Sequence, residues 1–151
     1  MTKRFFFPPI DFGPNRFFAE AGTVTTGTVN SGTYQSTHIR DGTDWEINEV
    51  VGAPGFLLTM DFTALKVANK VTIVGFYDGN VGHTVDVDAY NWGTTSYDTL
   101  GQLPDALADT VYTFTLSAAH TDSDGSIKIR INHSSPGNVA HILYLDKVHI
   151  S

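Results

Sequence analysis

The histidines are the residues of this chain best suited to chemistry near neutral pH, because imidazole both binds metals and transfers protons. The six are His38, His83, His120, His133, His141 and His149. No two are spaced as HxH or HxxxH, so a zinc site would have to be assembled from different strands. His83 and His141 are the best pair, because each follows a Gly-Asn turn of similar sequence, at residues 79–83 and 137–141. Two hairpins with the same turn chemistry would also explain this likeness, and loop histidines commonly hydrogen-bond nearby carbonyls. The alternative is a pair of like loops at one rim of the fold, each presenting a histidine.

The sequence gives little support for catalysis. It contains no Gly-x-Ser-x-Gly, no phosphate-binding loop and no cysteine. Asp78, Asp86 and Asp88 could supply a carboxylate pair for glycoside hydrolysis, but acidic pairs are also common on solvated strand faces. We therefore predict that the protein is not an enzyme and has no catalytic residues.

Composition excludes several classes of partner and cofactor. The net charge of −7 argues against nucleic acid, which requires a basic surface. No apolar segment approaches the ~18 residues of a membrane span. The apolar run at the N-terminus stops at Pro8 and Pro9, short of the core of a signal peptide. We therefore expect a non-secreted chain with no membrane partner. Without cysteine, disulfides and thiolate metal sites are also excluded.

Most of the chain alternates between apolar and polar residues at the period of a β-strand. Trp45, Ile47 and Glu49 share one strand face, for example. No segment with a helical period is longer than about two turns. The predicted strands span residues 23–29, 45–50, 56–62, 71–77, 85–88, 111–116, 127–131 and 141–150. This pattern predicts an all-β fold, an antiparallel β-sandwich or jelly roll of eight or nine strands.

The last predicted strand contains a change of phase. Leu143 and Leu145 fall on one parity, whereas Val148 and Ile150 fall on the other. One extra residue near Asp146 would bring all four onto the same face. We therefore predict a β-bulge there.

The first 21 residues differ from the rest and are predicted to form an extended aromatic arm ahead of a sandwich domain at 22–151. Prolines and a glycine interrupt any helix or central strand in this segment. Six of the ten phenylalanines lie in it: Phe5, Phe6, Phe7, Phe12, Phe17 and Phe18. So many rings would be an aggregation liability in water. The arm therefore either folds back on its own domain or buries its rings in a neighbouring subunit.

Two sequence stretches resemble known sandwich families. Leu143-Tyr144-Leu145-Asp146-Lys147-Val148-His149-Ile150 is similar to the last strand of galactose-binding-like jelly rolls and of the carbohydrate-binding modules that share their shape. Tyr90-Asn91-Trp92, followed by Tyr97-Asp98-Thr99-Leu100, resembles a stretch of virus-encoded members. The layout also resembles the small β-sandwich proteins of tailed-phage particles, which often carry an arm ahead of the sandwich.

The resemblance implies two kinds of site. Asp146 lies where the similar modules hold a structural calcium, and Asp41, Asp44 or Glu46 would supply further oxygens. Hydrogen bonding at the bulge is the alternative role for Asp146. No other cofactor is expected. Glycan-binding loops would contain Tyr77, Asp78, His83, Trp92, Tyr97 and His141.

Two functions follow as hypotheses. The first is a virion structural protein of a tailed phage, made in the host cytoplasm. It would be a capsid decoration or cement protein whose aromatic arm binds the major capsid protein or another virion protein. It would form a homo-oligomer, with a trimer favoured, or an array on a symmetric particle. The second is a carbohydrate-binding module acting alone, in phage-tail or host-surface glycan adhesion.

Overall fold

A computed structural model describes residues 15–64 and 67–151, which form eleven strands and two short 3₁₀ helices. The strands are β1 Phe17–Phe18, β2 Ala21–Thr26, β3 Thr28–Ser31, β4 Trp45–Asn48, β5 Phe56–Thr63, β6 Lys70–Asp78, β7 Val85–Asn91, β8 Ser96–Leu103, β9 Thr110–Thr115, β10 Ser126–His133 and β11 Ile142–Ile150. The 3₁₀ helices span Tyr34–His38 and Ala118–His120. None of the described residues forms a helix long and apolar enough to cross a membrane.

The strands form two antiparallel sheets, which confirms the predicted sandwich. One sheet has the order β3-β4-β11-β6-β9, with β1 also paired to β11, and the other has the order β2-β5-β10-β7-β8. There are more strands than predicted because residues 23–29 divide into β2 and β3 at Gly27, whose φ of 111° suits glycine. The strands β1 and β8 add two more.

Alternation places one apolar face of each sheet inside the sandwich. In β10, Ile127, Ile129 and Ile131 are fully buried, while Lys128 and Arg130 lie between them on the outer face. Each buried aliphatic side chain of this size stabilises the fold by roughly 1.5–3 kcal/mol. The same strand therefore contributes both to the core and to an exposed polar surface.

The predicted β-bulge is present in β11. The register between β11 and β6 shifts between Leu145 and Lys147, so Asp146 is the extra residue. Leu143 and Leu145 before the bulge, and Val148 and Ile150 after it, are all fully buried. The extra residue thus corrects the phase of the strand and leaves Asp146 buried as well.

The strand β1 lies within the segment that the sequence assigned to the arm. Phe17 pairs with Ile150, and Phe18 pairs with His149 of the same chain. The sandwich therefore includes part of the predicted arm. The remaining arm phenylalanines, Phe5, Phe6, Phe7 and Phe12, lie outside the described residues.

Candidate functional site

Five polar and aromatic side chains meet at one rim of the sandwich. This rim cluster consists of Glu49, Tyr77, His83, His133 and His141. Glu49 follows β4 and His133 ends β10, and both continue the inward parity of their strands. Alternation therefore directs a carboxylate and an imidazole toward the core, where both side chains are fully buried.

The Glu49 carboxylate is the centre of the rim cluster. Its Oε1 accepts a hydrogen bond of 2.5 Å from the Tyr77 hydroxyl. Its Oε2 accepts one of 2.6 Å from the backbone N–H of Asn138 and lies 3.2 Å from Nδ1 of His141. Burial and the bond to Glu49 raise the pKa of Tyr77, so its hydroxyl remains a donor at neutral pH. These contacts fix the orientation of the carboxylate.

His133 lies beside this carboxylate without hydrogen-bonding it. Its Nδ1 is 3.1 Å from Oε1 of Glu49, yet both ring nitrogens are buried and lack a hydrogen-bond partner. Nδ1 of His83 is also buried without a partner, and the rings of His83 and His133 are 4.9 Å apart. Burial, opposed by Glu49 and aided by the nearby histidines, lowers the pKa of His133.

Two glycines allow the backbone to approach the rim cluster closely. A Cβ added at Gly55 would lie 2.4 Å from Nδ1 of His133, and one at Gly137 would lie 2.9 Å from Cβ of Glu49. A cavity of about 410 Å³, partly lined by His83, lies next to the cluster. The backbone therefore packs tightly against the rim cluster on one side, and His83 borders a cavity on another.

A second group of side chains lies on the outer face of the five-stranded sheet. This aromatic face consists of Tyr90, Trp92 and Tyr97. Tyr90 contacts Trp92 and Tyr97 edge to face, with ring centroids 4.9 and 5.2 Å apart. Trp92 also lines a depression of about 250 Å³ together with Asp61 and Lys128.

Charged residues border the aromatic face. The guanidinium of Arg130 lies 4.0 Å from the centre of the Tyr97 ring and donates hydrogen bonds of 2.8 Å to Asp88. Thr99 donates a further bond of 2.7 Å to Asp88, and Lys128 donates one of 3.0 Å to Asp61. Burial, opposed by Arg130, raises the pKa of Tyr97, so its hydroxyl stays protonated. The face thus combines ring surfaces with ordered donors and acceptors.

The structure divides the predicted glycan-binding residues between the two places. Tyr77, His83 and His141 lie in the rim cluster, with the rings of the two histidines 5.8 Å apart. Trp92 and Tyr97 lie on the aromatic face. Asp78 is exposed at the end of β6, where it pairs with the first residue of β11. Arg130, which lies over Tyr97, and His133 stand three residues apart on β10, so the two places are separated by about 10 Å.

Glu49 and His133 were not among the predicted site residues. The signal for both was present in the alternation, since each occupies an inward position of an otherwise apolar strand face. A buried polar residue at such a position needs a partner. His133 was named only as one of the six histidines, without a place in a site.

Asp146 has hydrogen-bond partners that account for its burial. Its Oδ1 accepts bonds from the backbone N–H groups of Asp41 and Gly42, at 3.1 and 2.9 Å. Arg40 Nε lies 3.8 Å from its Oδ2. Burial, then neighbouring carboxylates including that of Asp146, raises the pKa of Asp44 to about 6, and one oxygen of Asp44 has no partner.

These contacts fit the bulge role of Asp146. Glu46 accepts a hydrogen bond of 2.6 Å from Asn30. Calcium binding at Asp146, with Asp41, Asp44 or Glu46, stays a prediction. The carboxylates considered for hydrolysis are also engaged, because Asp86 accepts from Gln102 and Asp88 from Arg130.

Comparison with solved structures identifies the fold. A mutant of a family 29 carbohydrate-binding module matches with a TM-score of 0.51 and 15% identity, over 87% of this chain and 91% of that chain. A chitosan-binding module from a chitosanase/glucanase of Paenibacillus sp. IK-5 matches with a TM-score of 0.51 and 12% identity, over 89% and 96%. Another family 29 carbohydrate-binding module matches with a TM-score of 0.50 and 14% identity, over 85% and 87%.

The fold is therefore the β-sandwich of carbohydrate-binding modules, and these similar proteins are named for binding rather than for catalysis. No family model matches the sequence, and no curated protein matches it.

Proposed function

We propose that this protein binds carbohydrate through the aromatic face of its five-stranded sheet. The observation that carries the proposal is the contact of Tyr90, Trp92 and Tyr97 beside the ordered pair of Arg130 and Asp88. A sugar ring presents C–H groups on its faces and hydroxyls around its edge. Aromatic rings suit the first, and fixed charged or polar groups suit the second.

The order of the polar groups favours specific hydrogen bonding. The contact of Arg130 with both Tyr97 and Asp88 fixes its guanidinium, so little side-chain entropy remains to be lost on binding. Lys128 and Asp61 are each about two-fifths exposed and can exchange their mutual contact for hydroxyl groups. The depression beside Trp92 leaves space for one end of a ligand.

The residue types on this face match those studied in a protein of similar fold. Arginine, lysine and tyrosine variants of a family 29 module were made to study ligand recognition in that protein. Arginine, lysine and tyrosine occur together on the aromatic face and its border here.

The test is a glycan array followed by calorimetric titration of the best soluble oligosaccharide. We expect a dissociation constant in the millimolar range or below, weakened at least about tenfold by Tyr97→Ala or Trp92→Ala through loss of ring contact. Tyr144→Ala is the matched control, because Tyr144 stacks on Phe76 in the other sheet, with centroids 4.4 Å apart. The proposal is wrong if no glycan binds, or if the control weakens binding as much as the two test variants.

The virion hypothesis depends on arm residues that lie outside the described part of the chain. Attachment to a capsid protein, location in a virion and a trimeric state therefore stay predictions. Co-sedimentation with particles that lack the protein would test them, using a variant in which Phe5, Phe6 and Phe7 are changed together to Ser. Glycan binding and a place on a virion are compatible, since a module on a phage tail could attach to host-surface glycans.

A further inference from the structure

The rim cluster contains three potential metal ligands from separate parts of the chain. One donor atom each from Glu49, His83 and His133 lies within 4.8 Å of the other two. Glu49 follows β4, His83 precedes β7 and His133 ends β10, so both sheets contribute. Among residues 15–64 and 67–151, no other set of three histidines or acidic residues meets this distance.

We propose that Glu49, His83 and His133 bind one divalent transition-metal ion of the zinc class. The first support is the state of the imidazole nitrogens. Nδ1 of His83 and both nitrogens of His133 are buried and have no hydrogen-bond partner. Buried polar atoms nearly always have a partner, so the unpartnered nitrogens of these two rings require an explanation. A metal ion bound by one nitrogen of each ring would give both histidines a partner.

The second support is the uncompensated charge of Glu49. Its side chain is fully buried, and its ion-pair contacts among the described residues are with His133 and His141, not with lysine or arginine. A buried carboxylate is costly unless it is paired with a cation or coordinates a metal. A divalent ion between the carboxylate and the two imidazoles neutralises it.

The distances agree with this donor set. Tetrahedral zinc with bonds of about 2.0–2.1 Å holds its ligand atoms about 3.3 Å apart. Nδ1 of His133 is already 3.1 Å from Oε1 of Glu49. The donor atom of His83 lies within 4.8 Å of the other two, which is at most about 1.5 Å beyond the zinc spacing. His83 is partly exposed and follows a turn that its own N–H closes by donating to the carbonyl of Asn80.

The groups around the three ligands form an outer shell of the kind that metal sites need. Tyr77 and the N–H of Asn138 donate to the Glu49 oxygens, and His141 lies against Oε2. Such contacts orient ligands, and their loss typically costs 10–100-fold in metal affinity. His83 also lines a cavity, so one of the three ligands borders a space open to small molecules.

The donor types select the class of ion. Two imidazoles and one carboxylate suit zinc and its neighbours in the transition series, whereas calcium and magnesium prefer oxygen ligands. Three protein ligands leave a fourth position of a tetrahedral ion for water or another small ligand. The rim cluster is thus chemically distinct from the carboxylates around Asp146.

The experiment is calorimetric titration of Zn²⁺ into the full chain, purified without a polyhistidine tag and treated with chelator. We expect one ion per chain and a higher melting temperature with zinc. His83→Ala should weaken binding by roughly 100-fold or more, since a direct ligand matters at least as much as an outer-shell group. His38→Ala is the matched control, because its ring is also partly buried but lies 2.9 Å from the carbonyl of Ala19.

A spectroscopic measurement on the unaltered chain tests the proposal even if a variant fails to fold. Co²⁺ should give the intense visible bands of a tetrahedral site, and Zn²⁺ should remove them. The proposal is overturned if the wild type binds no Zn²⁺ at one ion per chain, or if Co²⁺ shows only an octahedral spectrum. Equal loss of affinity in folded His38→Ala and His83→Ala would also overturn it.

Discussion

The ion pair between Arg130 and Asp88 gives the sharpest test of what holds the outer face of the five-stranded sheet in place. The Asp88 side chain is 2% exposed and the Arg130 side chain 27% exposed, and two guanidinium nitrogens lie 2.8 Å from Oδ2. Arg130→Met keeps the length of the aliphatic stem but leaves a buried carboxylate with only the Thr99 hydroxyl. Removing one partner of a buried pair costs about 3–5 kcal/mol.

We expect the lower end of that range, about 3 kcal/mol, because Arg130 retains some contact with water. For a domain of this size, that corresponds to a fall in melting temperature of roughly 6–12 °C. Urea unfolding followed by fluorescence of the buried Trp45 measures the free energy of unfolding directly. Adding Asp88→Asn to Arg130→Met should restore at least half of the loss, since the uncompensated charge is then gone.

Lys128→Met is the matched control, because Lys128 lies two residues away on the same strand face. It pairs with Asp61 at 3.0 Å, but the two side chains are 41% and 44% exposed. An exposed pair of this kind contributes about 0–1 kcal/mol. If Arg130→Met and Lys128→Met lower the free energy of unfolding equally, the buried carboxylate does not dominate and the reasoning is refuted.

Three further predictions concern pH, metal and the N-terminal segment. Burial, then Arg16 and Lys147, lowers the pKa of His149 to about 4. The stability contributed by the neutral imidazole is therefore fully present above pH 6.5 and is lost as the pH falls toward 4. In urea unfolding at several pH values, His149→Phe should remove up to about 3 kcal/mol of this change in the free energy of unfolding. Because the pKa of Asp44 is raised, Asp44→Asn should stabilise the chelator-treated protein at pH 7 by about 1 kcal/mol. If the protein binds calcium at Asp146, chelation should lower its melting temperature, and Asp146→Ala should abolish that response. An unchanged melting temperature on chelation would end the calcium prediction. Residues 15–151 should melt several degrees higher than 22–151, since β1 covers part of β11; equal melting temperatures would show that β1 contributes nothing.

The features that the sequence predicted are those set by local periodicity. The strand faces and the bulge at Asp146 follow from the order of apolar residues, because a change of one residue moves every later side chain to the other face. The proximity of His83 and His141 followed from a shared turn sequence, but only as one of two alternatives. These inferences need no knowledge of which strand pairs with which.

The rim cluster could not be predicted without knowing how the strands and sheets pack. Glu49 and His133 are 84 positions apart, and they meet because the two sheets pack face to face with these inward residues at one rim. A single sequence does not encode that pairing in any local pattern. It did mark each residue as polar on an apolar face. The short strand β1 was also missed, because two residues are too few to show alternation.

The position of β11 between β4 and β6 has a consequence for how fast the protein folds. The residues that β11 joins are remote in sequence, as in the pairing of Leu143 with Ile47 and with Tyr77. The chain must lose the entropy of closing these long loops before the contacts stabilise it, which places such folds in the millisecond-to-second range. Substitutions in β11 that weaken its pairing should therefore slow refolding more than they accelerate unfolding, if this strand forms in the transition state.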